Sequence, residues 1–413
     1  MNWLLLLITV ATLFVAGLRS LIDWLNWKRS ETSRLPLEFV GIYTPERFEE
    51  SKAYLGATTK QRLLERGIWT TTGLFFLWAG GFGAVDNFAR GFGLGPVATG
   101  LIFFLSLGIL SEILSIPFGY YSTFVTEEKF GFNRSSLSTF IGDHVKGWVL
   151  GILLGGPILA GLLWFFAAAG SLAWIYAWAF LAVTQLVIGF LAPVLLMPLF
   201  NKFTPLPAGE LKEAIEGYAR KVDFKLQGIF TMDGSKRSAK ANAFFTGLGR
   251  FRRIVLFDTL VKQHPRDELV AVLAHEVGHF KKGHIPRMIV ASLLSLFALF
   301  FLLSLVLSSP SASAALGFAQ HSVHAGLIVA FWLYGPLSLV LGLLTQRLSR
   351  KHEFEADEYA ARTTGSATEL AEALKRLSAE SLSNLDPHPW KVWLEYSHPP
   401  VIQRVRVLKG ETA

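Results

Sequence analysis

Seven apolar stretches, each long enough to cross a lipid bilayer as a helix, dominate this sequence. They lie at about 2–18, 68–85, 96–118, 148–170, 174–199, 288–308 and 325–346, and none of them contains Lys or Arg. A bilayer core about 30 Å thick requires about 17–25 such residues in helical form. The pattern therefore predicts a multi-pass α-helical membrane protein with seven transmembrane helices. It excludes an ordinary soluble enzyme, a coiled coil and a disordered chain.

The basic residues are distributed very unevenly between the polar segments that separate these stretches. Of 39 Lys and Arg residues, 38 lie in segments 19–67, 119–147, 201–287 and 347–413, and the other is Arg90. Because cytoplasmic loops are enriched in Lys and Arg, we expect these segments to be cytoplasmic and the N-terminus to lie outside. The first stretch has Arg19 after it and no basic residue before it, so we expect a retained span rather than a cleaved signal. The net charge of +8 is thus explained by the basic cytoplasmic segments, and we expect no nucleic-acid partner.

The polar segments divide the chain into four predicted parts. Five spans with their loops occupy 1–200, a cytoplasmic domain occupies 201–287, two further spans occupy 288–346, and a cytoplasmic C-terminal segment occupies 347–413. Local patterns predict helices at 210–221, 267–283, 348–364 and 367–382, and strands at 228–232, 241–246 and 254–257. We expect the last two strands to form a hairpin around 247–250.

A His-Glu-Val-Gly-His motif at 275–279 lies on the predicted helix 267–283. Side chains at i and i+4 share one face of a helix, so His275 and His279 can bind the same ion. Catalytic zinc sites use three protein ligands and a water, and Glu276 stands where it can take a proton from that water. The alternative is a chance match on a surface helix. Since the chain has no Cys, a thiolate metal site and a cysteine nucleophile are excluded.

A third ligand is needed, and the region after the motif does not supply the one that metzincins use. In the spacing HExxHxxGxxH, the third His would fall at Ile285, and His284 is one residue short. Further along, Glu353 and Asp357 are spaced i, i+4 on a predicted helix. One of them could bind the ion while the other accepts a ring N–H from a ligand His. The alternative is a solvated acidic helix face.

Motifs in addition to the metal sequence run from about 120 to 404. They are EEKFGFNR at 127–134 with Asp143 after it, FNKFTPLP at 200–207, GSKRS at 234–238, NAFF at 242–245, RIVLFDTL at 253–260, EFEAD at 353–357 and YSHPP at 396–400. In this order they resemble the type I CAAX prenyl proteases, integral-membrane zinc metallopeptidases that trim farnesylated C-termini, and their bacterial homologues. The N-terminal third agrees with that family mainly in hydropathy.

The resemblance implies a barrel of seven tilted helices around a hollow intramembrane chamber, capped by a cytoplasmic α+β metallopeptidase domain of gluzincin type. One Zn²⁺ per chain is expected on His275, His279 and Glu353, with Glu276 as the general base and Asp357 supporting a ligand from behind. The domain at 201–287 then carries the motif, and the segment 347–413 supplies the third ligand and a catalytic His.

The resemblance also implies roles for residues that the pattern alone does not single out. His398 is expected to steady the oxyanion that develops on the scissile carbonyl, and Arg404 is expected in the same cluster. Asn242, Ala243 and Phe244 are expected to hold the substrate backbone as an added strand.

Further polar residues have no predicted chemical role. Glu112 and Gln185 lie within predicted spans, and we interpret both as lining the chamber. His284 and His352 adjoin the motif residues, and we expect them to be structural or to support the ligands. The remaining motif residues are expected to stabilise the fold or an interface, namely Asn133, Arg134, Lys236 and Arg237.

These features together predict a zinc-dependent membrane endopeptidase that acts on a peptide or protein substrate, and the resemblance implies a prenylated one. Three alternatives remain open: a quality-control protease acting on unprenylated membrane proteins, an inactive metal-binding scaffold, and a non-catalytic seven-helix receptor or transporter. We expect an integral membrane location, in the bacterial inner membrane, or in the ER membrane if the source is eukaryotic.

Overall fold

The first half of the chain is almost entirely helical. The computed structural model describes residues 2–246, 253–307 and 310–411. The helices that precede the first strand are α1 (Trp3–Thr32), α2 (Pro45–Trp78), α3 (Gly81–Arg90), α4 (Pro96–Tyr121), α5 (Leu137–Leu150), α6 (Gly156–Ala168) and α7 (Ala173–Leu191). Turns of π-helix continue α4 and α7 and join α5 to α6.

Six helical segments among the described residues are long and apolar enough to cross a membrane. They are α1, Pro96–Glu127, Leu137–Ala168, Gly170–Leu199, His284–Leu307 and Val323–Thr364. A seventh span is obtained when the bent pair of α2 and α3 is counted as one crossing. The structure therefore confirms the predicted multi-pass helical membrane protein with six to seven spans.

The second predicted span, 68–85, is not one straight helix. α2 ends at Trp78, α3 begins at Gly81, and their axes differ by 64°. Between them, Gly80 has φ +74°, a left-handed conformation that glycine adopts without a Cβ penalty. The end of the sixth predicted span, residue 308, lies outside the described residues.

The membrane helices cover one another only sparsely. In the most apolar part of the Leu137–Ala168 span, 6% of the residues are buried. The five consecutive residues Gly151–Gly155, which cover more than one full helical turn, are all exposed. In a solid bundle, every helix has at least one face covered by its neighbours. Because this turn has no covered face, the helices surround an open interior.

A four-stranded sheet follows the first five spans. Its strands are β1 (Phe203–Pro205), β2 (Gly228–Met232), β3 (Ala243–Thr246) and β4 (Arg253–Phe257), in the order β1-β2-β4-β3. β2 and β4 are parallel, whereas β3 pairs with β4 antiparallel, with Phe244 opposite Val255. The three predicted strands are confirmed, although the one predicted at 241–246 begins at Ala243 and the one predicted at 254–257 begins at Arg253. The predicted turn at 247–250 lies outside the described residues.

The remaining helices connect this sheet to the last two spans and the C-terminal segment. They are α8 (Glu210–Lys221), α9 (Asp258–Gln263), α10 (Arg266–Lys281), α11 (His284–Leu307), α12 (Pro310–Ala315), α13 (Val323–Thr364), α14 (Thr368–Glu380), α15 (Pro389–Glu395) and α16 (Val401–Leu408). α13 merges the predicted seventh span with the predicted helix 348–364. At about 1.5 Å per residue, its 42 residues form one rod that reaches about 30 Å beyond the bilayer core.

The membrane-distal end of α13 belongs to the same hydrophobic core as the sheet. Buried apolar side chains from β2, β4, α8, α10, α13 and α14 form one cluster, with Leu256, Leu273 and Ala360 among its least exposed members. Segments 201–287 and 347–413 are therefore packed together, although two membrane helices separate them in the chain. This packing brings α13 against α10, the helix of the metal motif.

Candidate metal centre

Three side chains from α10 and α13 converge on one point. His275 and His279 lie one turn apart on α10, and their Nε2 atoms are 3.1 Å apart. Glu353 of α13 places Oε2 3.5 Å from His275 Nε2 and Oε1 3.3 Å from His279 Nε2. His275 and Glu353 are buried and His279 is half-buried. The predicted pairing of the motif with a carboxylate about seventy positions later is thus seen in the fold.

The separations between these donor atoms match those around a small tetrahedral ion. Ligands about 2.05 Å from a zinc-sized ion, at the tetrahedral angle, lie about 3.3 Å from one another. The two Nε2 atoms are 3.1 Å apart, and each lies near a different carboxylate oxygen of Glu353, His279 Nε2 at 3.3 Å from Oε1 and His275 Nε2 at 3.5 Å from Oε2. In addition, Glu353 Oε2 is buried and accepts no hydrogen bond. Its one close cation is Arg404 Nη1 at 3.2 Å, so a lone pair stays open and the three residues fit a metal ion.

Close contact between the two helices makes this convergence possible. A Cβ atom on Gly278 would lie 3.0 Å from the Ala356 carbonyl oxygen and 3.1 Å from its Cα. Only glycine therefore allows the α10 backbone to approach α13 at this crossing without a shift. Gly278 follows His275 by three residues, and Ala356 follows Glu353 by three, so the crossing lies next to all the ligand side chains.

Asp357 contacts the side of His275 that faces away from the ligand cluster. His275 Nδ1 donates to Asp357 Oδ1 at 2.8 Å, and this fixes the tautomer that leaves Nε2 free. Asp357 is only 1% exposed. Of the two acidic residues of α13, Glu353 faces both Nε2 atoms and Asp357 faces the opposite ring nitrogen, which favours Glu353 as the ligand.

Arg404 of α16 compensates the two buried carboxylates. Its guanidinium donates to Asp357 through Nε and Nη2 at 2.8 and 2.6 Å, and Nη1 lies 3.2 Å from Glu353 Oε2. Burial opposes the Arg404 charge, but Asp357, Glu353 and Glu276 outweigh it and raise the pKa of the guanidinium. The pKa of His275 is raised to about 9, because the Asp357 and Glu353 carboxylates outweigh the effect of burial.

A second set of histidines supports His279. His279 Nδ1 and His284 Nδ1 are 3.0 Å apart, and His284 Nε2 is 2.9 Å from Glu355 Oε2. The His352 ring stacks on His284 with centroids 4.0 Å apart. These contacts agree with the predicted supporting role of His284 and His352. The participation of Glu355 was not predicted.

His398 approaches the cluster from the loop before α16. Its Nε2 lies 3.3 Å from Glu353 Oε1, and its Nδ1 lies 2.8 Å from the Ser397 hydroxyl. Its side chain is 63% exposed, unlike the ligand side chains, so it can contact a bound molecule. Glu276 is half-buried on α10. His398 thus lies at an accessible side of the centre.

Two family models match this chain and together cover nearly all of it. The first is described as CAAX prenyl protease N-terminal, five membrane helices, and matches residues 4–202. The second is peptidase family M48 and matches residues 205–412. A rice protein named CAAX prenyl protease 1 homolog is 37% identical over 387 residues, covering 91% of this chain and 90% of the relative. The chain belongs to peptidase family M48.

Other relatives of this M48 peptidase carry the same name. CAAX prenyl protease 1 from Saccharomyces cerevisiae is 39% identical and covers 76% of this chain and 72% of its own. The human CAAX prenyl protease 1 homolog is 34% identical, covering 92% and 89%. The crystal structure of S. mikatae Ste24p superposes with a TM-score of 0.94 at 33% identity, covering 98% of this chain and 99% of that one. These matches confirm the predicted membrane metalloprotease and its fold class.

The M48 assignment implies a metal ion. Among the described residues, His275, His279 and Glu353 form the one group of three or more His, Cys, Asp or Glu side chains close enough to bind the same ion.

Motif residues outside the cluster join the membrane helices to the sheet. Arg237 forms a bidentate pair with Asp143 of α5, at 2.7 and 2.9 Å, and a hydrogen bond to Asn201. The backbone N–H of Arg134 donates to the Arg237 carbonyl.

Several pairs in this M48 peptidase have no local sequence signal. Within the spans, Glu112 pairs with His144 at 2.7 Å, and the Gln185 amide donates to Ser292 at 2.8 Å. The resemblance predicts Arg404 in the same cluster as His398, but it does not predict the bidentate pair with Asp357. An isolated arginine in an amphipathic helix is typical of a solvated face, so only the fold reveals that Arg404 is 6% exposed.

Proposed function

We propose that this M48 peptidase is a zinc endopeptidase that removes C-terminal residues from prenylated proteins. The observation that carries the proposal is the convergence of His275, His279 and Glu353 at separations of 3.1–3.5 Å. Two imidazole nitrogens and one carboxylate are a donor set that catalytic zinc accepts, with a position left open. When bound, the ion would supply Lewis-acid polarisation of the peptide carbonyl and acidify water.

We assign proton transfer to Glu276. It follows His275 on α10, is half-buried, and has Arg404 near enough for its charge to act on the guanidinium. A carboxylate there can accept a proton from the attacking water and return it to the leaving amine. Such proton transfer contributes about 10²–10⁴ to the rate.

We assign oxyanion stabilisation to His398. When the Ser397 hydroxyl donates to Nδ1, the proton of the neutral ring resides on Nε2, which faces the centre. That N–H can donate to a carbonyl oxygen as negative charge develops on it. One such donor is worth about 10²–10³ in rate.

The edge of the sheet is suited to hold an extended substrate. β3 is the terminal strand of the described sheet, and β4 pairs with it on one side only. Asn242 precedes it and is exposed, and Ala243 and Phe244 lie on the strand. We propose that the substrate backbone pairs with this edge as an added strand, which would hold it in one register.

The names of the relatives support a prenylated substrate, and the basic residues support a cytoplasmic orientation of the peptidase domain. The membrane location follows from the spans. Whether the membrane is the ER or the bacterial inner membrane stays a prediction, and the relatives named above are eukaryotic.

A peptide assay with the purified full chain tests the proposal. A farnesylated CAAX peptide and its unprenylated counterpart are incubated with and without chelator, and bound metal is measured by elemental analysis. We expect one zinc per chain and chelator-sensitive cleavage that favours the farnesylated peptide. Glu276→Gln should retain zinc and lose activity by about 10²–10⁴. Glu358→Gln, at an exposed position on α13, is the matched control and should remain active.

The possible failures are distinct. Equal cleavage of both peptides would refute the proposed prenylated substrate and favour a quality-control protease. Normal turnover by Glu276→Gln would refute the assigned base. Cleavage that ignores both the chelator and the substitution would come from a contaminating protease.

A further inference from the structure

We propose that Arg62 binds the free C-terminal carboxylate of the peptide substrate in a cavity next to His398. The inference rests on the proposed function, because it assumes that cleavage occurs near a chain end. It adds a residue of α2, which lies outside the M48 metal motif, to substrate recognition.

The cavity has about 740 Å³ and is lined by the loop before α16 and by α2. Tyr396, Ser397 and His398 line it from that loop, and Arg62 and Glu65 line it from α2. Each residue of an extended peptide spans at most about 3.6 Å, so a cavity of this size has room for a few residues. A peptide whose scissile bond lies at His398 can therefore place its last residues toward α2.

A buried aspartate organises the cations at the far side of the cavity. Asp23 of α1 is 1% exposed. Its Oδ1 accepts from Lys391 Nζ at 2.6 Å and its Oδ2 from Arg66 at 2.7 Å. Lys391 also pairs with Glu395. Both oxygens of Asp23 thus accept hydrogen bonds from cations other than Arg62, which is held only by a longer ion pair.

Arg62 is the cation of this group that is left available. Its Nη1 lies 3.5 Å from Asp23 Oδ1, and its side chain is 42% exposed. Among the described residues it makes no hydrogen bond. Since a guanidinium presents N–H donors in a planar fork that matches a carboxylate, an available arginine in a cavity favours such a ligand. Asp23 keeps the guanidinium in place without using its donors.

Glu65 provides an opposing charge in the same cavity. It lies three residues after Arg62, on the same face of α2, and no cation lies within 4.0 Å of it among the described residues. A carboxylate ligand must avoid Glu65 while it pairs with Arg62. The two residues therefore predict opposite effects on the same measurement.

The measurement is the ratio of kcat/KM for a farnesylated CAAX peptide as its free acid to that for the same peptide as its C-terminal amide. For the full chain we expect a ratio of about 10–100, the worth of one hydrogen-bonded charge pair. In Arg62→Gln the ratio should fall to about one, mainly through KM for the free acid. Arg62→Lys should retain part of it, and Glu65→Gln should increase it.

Lys60→Gln is the matched control, because Lys60 is an exposed cation on α2 that does not line this cavity. It should keep the ratio of the unsubstituted protein. Thermal unfolding of each variant shows whether it is folded. If Arg62→Gln is unfolded, the ratios of the Arg62→Lys and Glu65→Gln variants test the inference instead.

The inference is overturned if the unsubstituted protein shows no preference for the free acid. It is also overturned if the Arg62→Gln or the Glu65→Gln variant folds normally and keeps the ratio of the unsubstituted protein. In these cases the proposed function survives, because cleavage still occurs. If neither peptide is cleaved, the proposed function fails and this inference fails with it.

Discussion

Replacing Gly278 with alanine should separate the metal ligands without unfolding the protein. The added Cβ would lie 3.0 Å from the Ala356 carbonyl oxygen, 3.1 Å from its Cα and 3.2 Å from the Tyr359 Cβ. All three atoms belong to α13 or are attached directly to its backbone. The helices must therefore move apart by a few tenths of an ångström, since no flexible side-chain end can yield.

Two opposing terms set the effect on stability. Overpacking of a tight contact costs about 1–3 kcal/mol. Alanine is better than glycine in a helix interior by about 0.8–1.0 kcal/mol. The net loss in the free energy of unfolding is therefore at most about 2 kcal/mol. Metal ligation is less tolerant, because ligand distances must hold to about 0.2 Å.

We expect Gly278→Ala to unfold at nearly the normal temperature while it binds metal at least tenfold more weakly, as measured by titration with a competing chelator. Gly217→Ala on α8 is the matched control, because the nearest atom to its Cβ would be the end of the Arg220 side chain at 3.9 Å. It should leave metal binding unchanged. Normal metal affinity and activity in Gly278→Ala would refute the claim that this crossing sets the ligand geometry.

Three further predictions concern buried charges. Glu353→Gln should abolish stoichiometric metal binding, as measured by elemental analysis, because one of three donors loses its charge. Arg404→Met should lower the free energy of unfolding of the metal-free protein by about 3–5 kcal/mol, because two buried carboxylates lose their cation. His264 is buried between Glu268 and Glu380, at 2.8 and 3.2 Å. Burial lowers its pKa, but the two carboxylates outweigh burial and raise it. Its contribution to stability is therefore complete below its unfolded pKa of about 6.5 and lost as pH rises through the folded pKa.

Each of these three predictions has a result that would contradict it. Metal retained at one ion per chain in Glu353→Gln would exclude Glu353 as a ligand. An unfolding midpoint of Arg404→Met equal to that of the unsubstituted protein would mean that water already compensates the carboxylates. For His264, the difference in unfolding midpoint between the unsubstituted protein and His264→Asn should shrink with rising pH. Arg376 donates to Glu268 and Arg47 donates to the Glu380 carbonyl, so both cations lie near this group. A difference independent of pH would exclude the histidine as its origin.

Local patterns were sufficient for the membrane spans and for the metal-motif helix. Apolar length reports a span directly, because a bilayer core requires an uninterrupted apolar helix. The spacing of His275 and His279 predicts that they share one face of the helix, because residues i and i+4 lie about one turn apart. Both properties depend on neighbours in the chain, and the structure agrees with them.

The break at Gly80 and the continuity of α13 could not be predicted in this way. An apolar stretch has the same composition whether or not it bends, and the bend depends on how α2 and α3 pack against the rest of the fold. Likewise, 348–364 carries its own helical pattern, and nothing local indicates whether it joins the preceding span.

By itself, the sequence determined the multi-pass helical architecture, the motif face of α10 and the two acidic candidates on α13. Only the tertiary structure decided which candidate faces the two histidines, that Arg404 pairs with both carboxylates, and that Arg62 lines the same cavity as His398. The physical reason is that periodicity specifies which face a side chain occupies, whereas the distance between two faces depends on contacts such as Gly278 against Ala356. Those contacts join residues far apart in the chain and leave no trace in its local pattern.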